Sequence, residues 1–461
     1  MRARFGEDDT ICAIATPLGT ASIGVIRLSG KDAFSIAASF YSGKGDWASF
    51  STHTIHFGDL VDPTDKTVLD EALFLVMKSP NTYTGEDVVE IQSHGNVFLL
   101  QKVISLLLTQ GARLATPGEF TRRAYLSGRI DLAQAEAVME IISARSELHQ
   151  EWALGQLKGK LSAKISILRE QIISIIAHVE ASIDFSEEEI PIKDTDEMVL
   201  LIRAVLLSIQ ELLADYENGR KVREGFSVVI VGRPNVGKSS LFNCFLQDER
   251  AIVTSIPGTT RDLLREEISL EGLSITLVDT AGYRETNHLI EKEGVLRGDK
   301  ARQAADLVLW VIDGSVPLQE EDLRLLKLLR TQPKIVIVNK NDLPKQVEIE
   351  KIKKENNNAA YIYLSAKTGG GFPVLIHEIK KCLFGASEKE PPQIALLRHR
   401  NALEAAEKGL EHALDSFAQK LPREFSAVDL REACDALDEI TNGVTSEDLL
   451  DRIFNQFCIG K

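Results

Sequence analysis

The chain of 461 residues has no uncharged apolar stretch long enough to span a bilayer, and its N-terminus carries no basic-then-apolar run. Neither a transmembrane anchor nor a secretory signal is therefore expected. Cysteine is scarce and scattered: Cys12, Cys244, Cys382, Cys434 and Cys458 are odd in number, and none stands at Cys-x-x-Cys spacing. That excludes a disulfide framework and a zinc site of the usual spacing, and it fits a reducing, cytoplasmic setting. There is no repeat and no low-complexity tract. Positive charge is in deficit, 53 Lys and Arg against 68 Asp and Glu, for a net charge of −15. Such a chain does not coat nucleic acid non-specifically. Local basic patches remain at Arg220-Lys221-Val222-Arg223, at Arg122-Arg123 with Arg129, and at Arg398-His399-Arg400, and a patch of this kind is more often a solvated helix end than a nucleic-acid contact.

What is there is ordinary globular composition, 44% hydrophobic and 26% charged, at a length that predicts roughly three domains. Residues 1–120 read as a small mixed α/β domain. Strand-like runs at Ile11–Ala15, Ile23–Leu28, Glu71–Met77 and Val88–Gln92 are separated by turn signals, and a helix-like stretch from Phe98 ends before Gly111. From about residue 131 the period lengthens. Leu154, Leu157, Leu161, Ile165, Leu168, Ile172, Ile176, Val179 and Ile183 mark one long amphipathic helix, and Leu200, Val205, Ile209 and Leu212 mark a second. Residues 226–380 alternate strand and helix signals, the pattern of a parallel sheet. Helical periodicity resumes over 396–420, 426–441 and 446–457. The expected fold is therefore multidomain α+β: an N-terminal α/β domain (1–120), a discontinuous all-helical domain (121–222 and 383–461), and an inserted Ras-like α/β P-loop domain (223–382).

The inserted domain carries the clearest chemistry. Gly232-Arg-Pro-Asn-Val-Gly-Lys-Ser239 follows the apolar strand Phe226–Val231. Its glycines let backbone N–H groups turn onto phosphates, Lys238 brings a point charge to the β/γ oxygens, and the Ser239 hydroxyl suits Mg²⁺. Nucleotide contacts are expected at Asn235, Val236, Gly237, Lys238, Ser239 and Ser240. The following polar segment, Thr254, Ser255, Ile256, Pro257, Gly258, Thr259 and Thr260, has the make-up of a switch loop. Strand Ser274–Asp279 then delivers Asp279, Thr280, Ala281 and Gly282, with Asp279 suited to the outer Mg²⁺ sphere and the Gly282 N–H to the γ-phosphate. Two further strands deliver Asn339, Lys340 and Asp342, and then Ser365, Ala366 and Lys367. An Asp at 342 accepts two hydrogen bonds from guanine that adenine cannot donate, so GTP is expected over ATP. Together these elements resemble the motif set of translation-factor-type GTPases.

One position departs from that set. Ras-like enzymes place a water-orienting Gln directly after Asp-x-x-Gly, and here the residue is Tyr283, which has no amide. Arg284 and the acids of Ile290–Gly294 stand nearby. No arginine finger is evident in the domain. A monovalent cation held by Asn235 and carbonyls of Thr254-Ser255-Ile256 would supply the missing positive charge.

The two ends of the chain extend the reading. Ala15-Thr-Pro-Leu-Gly19, Gly24–Gly30, Tyr83-Thr-Gly-Glu-Asp87, Pro117-Gly-Glu-Phe-Thr121, Asp131–Glu136 and the tail Leu450–Lys461, with its Cys458-Ile-Gly-Lys461 end, resemble the MnmE/TrmE family of tRNA modification GTPases from about residue 10 to the C-terminus. The resemblance implies a homodimer formed through an N-terminal domain that binds 5-formyl- or 5,10-methylene-tetrahydrofolate. It implies Mg²⁺ and K⁺ dependence of GTP hydrolysis. It also implies an FAD-dependent partner, MnmG, in a heterotetramer that adds an aminomethyl or carboxymethylaminomethyl group to wobble uridine 34 of tRNA. Residue by residue, it implies Asn235, Thr254, Ile256 and Thr259 as K⁺ ligands, Ser239 and Thr260 as Mg²⁺ ligands, and Glu291 as the group that orients water through a second water. Arg27, Glu90, Arg129 and Lys461 fall on folate contacts, although some members carry Lys at the position of Arg129, and Arg would meet a carboxylate as a fork rather than a point charge. Cys458 enters as a candidate for the modification chemistry, though a thiol at a helix C-terminus gains no acidity from the helix dipole. The alternative is a ribosome-assembly or signalling-type switch GTPase without modification chemistry. Such switches commonly append a basic RNA-binding module, and both flanks here are acidic.

Overall fold

The computed structural model describes residues 9–184, 194–247, 252–253, 264–279, 301–355, 359–384, 391–442 and 447–461. These fall into two compact units. The first gathers residues up to Met139, then Gln156–Glu180 and Ala427–Lys461; the second gathers Glu140–Gly155 and Ala181–Ser426.

The first unit is built on a sheet of strands β1 (Ile11–Ile14), β2 (Ala21–Ser29), β3 (Tyr41–Gly43), β4 (Thr54–Val61), β5 (Val68–Met77), β6 (Val88–Gly95) and β7 (Arg113–Leu114), in the order β3-β4-β5-β6-β2-β1-β7. Only the β1–β7 pair is parallel. Helix Val97–Thr109 packs Leu100, Val103 and Leu107 onto this sheet. Its start is fixed by Asn96, whose side-chain oxygen accepts from the N–H groups of Phe98 and Leu99 at 2.9 and 3.3 Å, the usual service of an Asn N-cap. Beyond the sheet, helix Lys160–Asp184 meets helix Arg423–Thr441 through Arg169 and Asp438, 2.6 Å apart. The C-terminal helix Glu447–Phe454 places Leu450 and Phe454, and the turn after it Phe457, in one core with Leu132 and Ala135.

The second unit centres on β8 (Phe226–Val231), β9 (Ile252–Val253), β10 (Leu264–Leu270), β11 (Leu273–Asp279), β12 (Leu307–Asp313), β13 (Lys334–Asn339) and β14 (Ala360–Tyr363), ordered β14-β13-β12-β8-β11-β10-β9. The first five in that order are parallel, and β10 and β9 close one edge antiparallel. Strands β12 and β13 are buried along their whole length, as strands covered on both faces must be. Helix Thr195–Glu224 leads into β8 through Gly225 at φ 88°.

Two helix expectations are corrected. The single long helix from Leu154 to Ile183 is two, Glu147–Leu157 and Lys160–Asp184, separated at Gly159, where φ is +80°. A left-handed glycine ends a helix. In helix Thr195–Glu224 the buried stripe is Met198, Ile202, Val205, Ile209, Leu212, Tyr216 and Val222, whereas Leu200 is exposed. Among the described residues no helix is long and apolar enough to cross a membrane.

Candidate active site

The P-loop begins where β8 runs out. Gly232 has φ +155°, and a Cβ there would lie 2.4 Å from the Val311 carbonyl oxygen. Asn235 sits in the left-handed region at φ 63°, a conformation Asn tolerates better than most residues. Gly237 has φ +97°, and a Cβ on it would meet Asn339 Nδ2 at 2.2 Å. Helix Lys238–Gln247 follows, directing the positive end of its dipole toward the loop. Val236 is fully buried. Lys238 Nζ donates to the carbonyls of Gly232 and Arg233, both at 2.8 Å, so the ammonium spans the arch that a phosphate would occupy. Ser239 and Ser240 are exposed in the first helical turn, where a hydroxyl oxygen is a suitable hard donor for Mg²⁺.

The base-recognition elements come from the adjoining strand ends. Asn339 is buried; its Nδ2 donates to Val236 O at 2.7 Å and its Oδ1 accepts from Ala366 N at 2.9 Å. One side chain thus ties the P-loop, the Asn339–Asp342 loop and the Ser365–Lys367 loop together. Lys340, at φ 63°, donates through Nζ to Asp313 Oδ2 at 2.6 Å. Asp342 and Lys367 are exposed. The Ser365 hydroxyl beside Asp342 holds its carboxyl below the usual range, so it stands as a carboxylate, the acceptor that guanine recognition requires. Asp279 closes β11 in register with Ile230, which brings its backbone beside the end of the P-loop strand. Thr254, Ser255, Ile256, Pro257, Gly258, Thr259, Thr260, Thr280, Ala281, Gly282, Tyr283, Arg284 and Glu291 lie outside the described residues.

A second cluster forms in the first unit. Arg27 on β2 faces Glu90 on β6 in register, with Nε and Nη2 at 2.8 and 2.7 Å from Glu90 Oε1. Arg27 Nη1 donates to Gly460 O at 3.3 Å. Its guanidinium lies 5.5 Å from the Tyr83 ring centre and 5.6 Å from that of Phe120. Arg129 also covers Tyr83, at 5.4 Å, and donates to its carbonyl at 2.9 Å. The C-terminal tail is seated here: Lys461 O accepts from Phe120 N at 3.2 Å, and Gly460, at φ +99°, leaves no room for a Cβ against Ile14 O. Burial and the nearby Arg27 charge pull the Lys461 amine below its ordinary pKa. Arg27, Glu90, Arg129 and Lys461 therefore converge although they are far apart in sequence, while Cys458 is exposed close by in the chain.

The sequence reading did not single out Tyr83 and Phe120 as site residues. The available signal was an aromatic ring inside each of the two Gly-containing motifs, Tyr83–Asp87 and Pro117–Thr121. Nor did it find why those motifs matter structurally. Arg123 reaches Asp9, Glu86 and Glu119 at 2.6, 3.0 and 3.1 Å, and Arg113 reaches Asp9 and Glu119 at 2.6 and 2.5 Å.

A parallel sheet whose Gly-rich phosphate loop and Asn-Lys-x-Asp loop meet at the carboxyl ends of its strands, stitched by a buried Asn, defines the P-loop GTPase class. The helical-domain model of MnmE matches residues 132–458, and the model of the GTP-binding protein TrmE N-terminus matches residues 10–129. The tRNA modification GTPase MnmE of Aquifex aeolicus is 45% identical over 98% of this chain and 100% of its own length. That of Moorella thermoacetica is 46% identical over 98% and 100%, and that of Alkaliphilus oremlandii 42% over 98% and 99%. Among solved structures, the G domain of the T. maritima FeoB iron transporter aligns with 34% of this chain and 98% of its own, at 28% identity and a TM-score of 0.26. The chain belongs to the MnmE family of tRNA modification GTPases.

Proposed function

We propose that this protein is a K⁺-activated GTPase that works with an FAD-dependent partner, MnmG, in a heterotetramer. Together they form the 5-aminomethyl or 5-carboxymethylaminomethyl group of wobble uridine 34 in tRNA from a tetrahydrofolate one-carbon unit. The observation that carries this reading is the presence, in one chain, of a guanine-nucleotide site and of a second cationic site walled by aromatic rings, at Arg27, Glu90, Arg129 and Lys461. A folate has both halves that such a site can meet. Its glutamate carboxylates suit Arg129 or Lys461, its polar ring edge suits Glu90, and its flat ring suits Tyr83 and Phe120. Membership of a family of tRNA modification GTPases supports tRNA as the substrate.

At the nucleotide site, Lys238 and the P-loop amides bind and orient the phosphates, and Asp342 selects guanine. Ser239 and Thr260 would hold Mg²⁺, and Asn235, Thr254, Ile256 and Thr259 would hold K⁺; these ions supply the positive charge that offsets charge developing on the γ-phosphate. Ser239 and Asn235 are both exposed, and their side-chain oxygens are donors of the kind that hard cations take. Glu291 would hold a water in line, through a second water. Cys458, on the tail that carries Lys461, is the candidate contributor to the modification step.

A homodimer through the N-terminal sheet is consistent with its exposed apolar side chains. Ile55 and Phe57 on β4 and Leu73 on β5 are exposed, and Phe57 pairs with Leu73 across the strands. The test is direct. Deleting the gene should abolish the modified wobble nucleoside in bulk tRNA measured by mass spectrometry, and an unchanged nucleoside profile would remove the modification reading. The domain limits 1–120, 121–222, 223–382 and 383–461 belong to this proposal.

A further inference from the structure

Arg233 is the residue after the first P-loop glycine, and its backbone carbonyl accepts from Lys238. Its side chain has a separate assignment. The guanidinium is nearly buried, with Nε 3.2 Å from Asp322 Oδ2 and Nη2 3.9 Å from Asp313 Oδ2. Asp322 stands in the first turn of helix Glu320–Leu328, where the same Oδ2 accepts from Gln319 N at 3.1 Å. That reciprocal cap fixes the carboxylate in place. Its other oxygen, Oδ1, is buried and takes no hydrogen bond among the described residues. Asp313 ends β12, accepts from Ser315 N and Oγ at 2.9 and 2.6 Å, and receives Lys340 Nζ at 2.6 Å. Two cations and two carboxylates thus form one connected, mostly water-excluded set.

The ends of this set lie in the two halves of the nucleotide site. At one end the Arg233 carbonyl is an acceptor of Lys238, the phosphate-binding lysine, at 2.8 Å. At the other, Lys340 holds a left-handed backbone two residues before Asp342, the guanine selector. We propose that Arg233 and Asp322 are positioning residues for guanine-nucleotide binding: the pair anchors the phosphate loop and, through Asp313, holds Lys340 and the base-recognition loop in register with it. Buried charges persist only when partnered. Removing the Arg233 guanidinium leaves the buried Asp322 carboxylate without its cation and leaves Asp313 with Lys340 in place of two cations. Neutralising Asp322 leaves Arg233 to draw on Asp313, the same oxygen that Lys340 uses. Either change loosens both halves of the site together.

This assignment rests on the reading of the chain as a guanine-nucleotide-binding GTPase. The experiment uses the full-length protein and GDP as the probe, with Arg233→Gln, Arg233→Lys, Asp322→Asn, Lys340→Ala and the double variant Arg233→Gln/Lys340→Ala. GDP affinity is measured by calorimetric titration, and thermal melting is recorded without nucleotide. Arg233→Gln and Asp322→Asn should each weaken GDP binding by about tenfold. Arg233→Lys, which keeps the charge but loses the fork, should recover part of that loss. In the double variant the loss from Arg233→Gln should shrink at least about threefold, because the residue through which it acts is already gone. A merely structural ion pair would not produce that coupling. GDP affinities within about twofold of the unsubstituted protein, purely additive losses, or losses wholly matched by a lowered melting temperature would each overturn the assignment. Should Arg233→Gln fail to fold, the nearly isosteric Asp322→Asn carries the same test. Failure of the unsubstituted protein to bind GDP would instead overturn the GTPase reading itself.

Discussion

At Gly237 a methyl group has nowhere to go. A Cβ there would press at 2.2 Å on the Asn339 amide nitrogen, the atom that holds Val236 O and so fixes the loop. Gly237→Ala combines left-handed strain with a displaced Asn339, each costing about 1–3 kcal/mol. Together these predict GDP binding weaker by roughly 100-fold, with little change in the circular dichroism of the sheet. Affinity within an order of magnitude of wild type would show that Asn339 yields easily and is not the stitch it looks like. At Asn235 the expected loss is of a different kind: Asn235→Ala should hydrolyse GTP at the same slow rate in KCl and NaCl, whereas the unsubstituted protein should prefer K⁺. Retained K⁺ preference in the variant would remove Asn235 from the cation site. These residues were readable from sequence because cradling phosphates admits few residue types at fixed spacing. Tyr83 was not readable in that way. Its place in a site depends on Arg27 and Arg129 arriving from distant parts of the chain, and nothing local to Tyr83 announces them.

Among elements, legibility followed the burial pattern. Strands β8, β12 and β13 are covered on both faces, so their unbroken apolar runs identified them. Strand β4 was missed because its alternation is inverted: Ile55 and Phe57 point out while Gly58 is buried. An apolar outer face breaks the inside-outside code that makes a strand recognisable. The long helical stripe was misread as one helix for a related reason: hydrophobic spacing runs through Gly159 without registering the +80° φ that interrupts it. Helix packing imposes its own requirement at Gly219, on the buried stripe of helix Thr195–Glu224. A Cβ there would sit 1.9 Å from the Ile394 carbonyl oxygen, an overlap with rigid backbone rather than with a movable side-chain tip. Gly219→Ala should therefore destabilise the second unit by about 1–3 kcal/mol, read as a lower urea midpoint with unchanged slope. An unchanged midpoint would mean that the 391–396 segment shifts freely away from the helix.

At the scale of the whole molecule, several carboxylates share one sign of pH response. Burial alone would raise the Glu119 carboxyl, but Arg113, the Thr116 N–H and Arg123 outweigh it and hold Glu119 low. In the same way Arg113 and Arg123 overcome burial at Asp9. In the other unit, His149 and Arg223 do so at Glu140, and Lys340 and Ser315 at Asp313. A carboxyl whose folded pKa is depressed adds stability that is fully present above its unfolded value, roughly pH 4, and is lost as pH falls through the folded value. Above that range these groups contribute a constant amount, so the stability they confer should be flat near neutrality and should drop only below about pH 4. Replacing Glu119 by Gln removes an ionised partner that both arginines use. The variant should be less stable at pH 7 and should differ less from the unsubstituted protein as the pH falls toward 3, when urea midpoints are compared across that range. The direction is what tests the account. A gap that widens toward low pH would mean that Glu119 is protonated in the folded protein at neutrality, and that Arg113 and Arg123 are held by Asp9 and Glu86 alone.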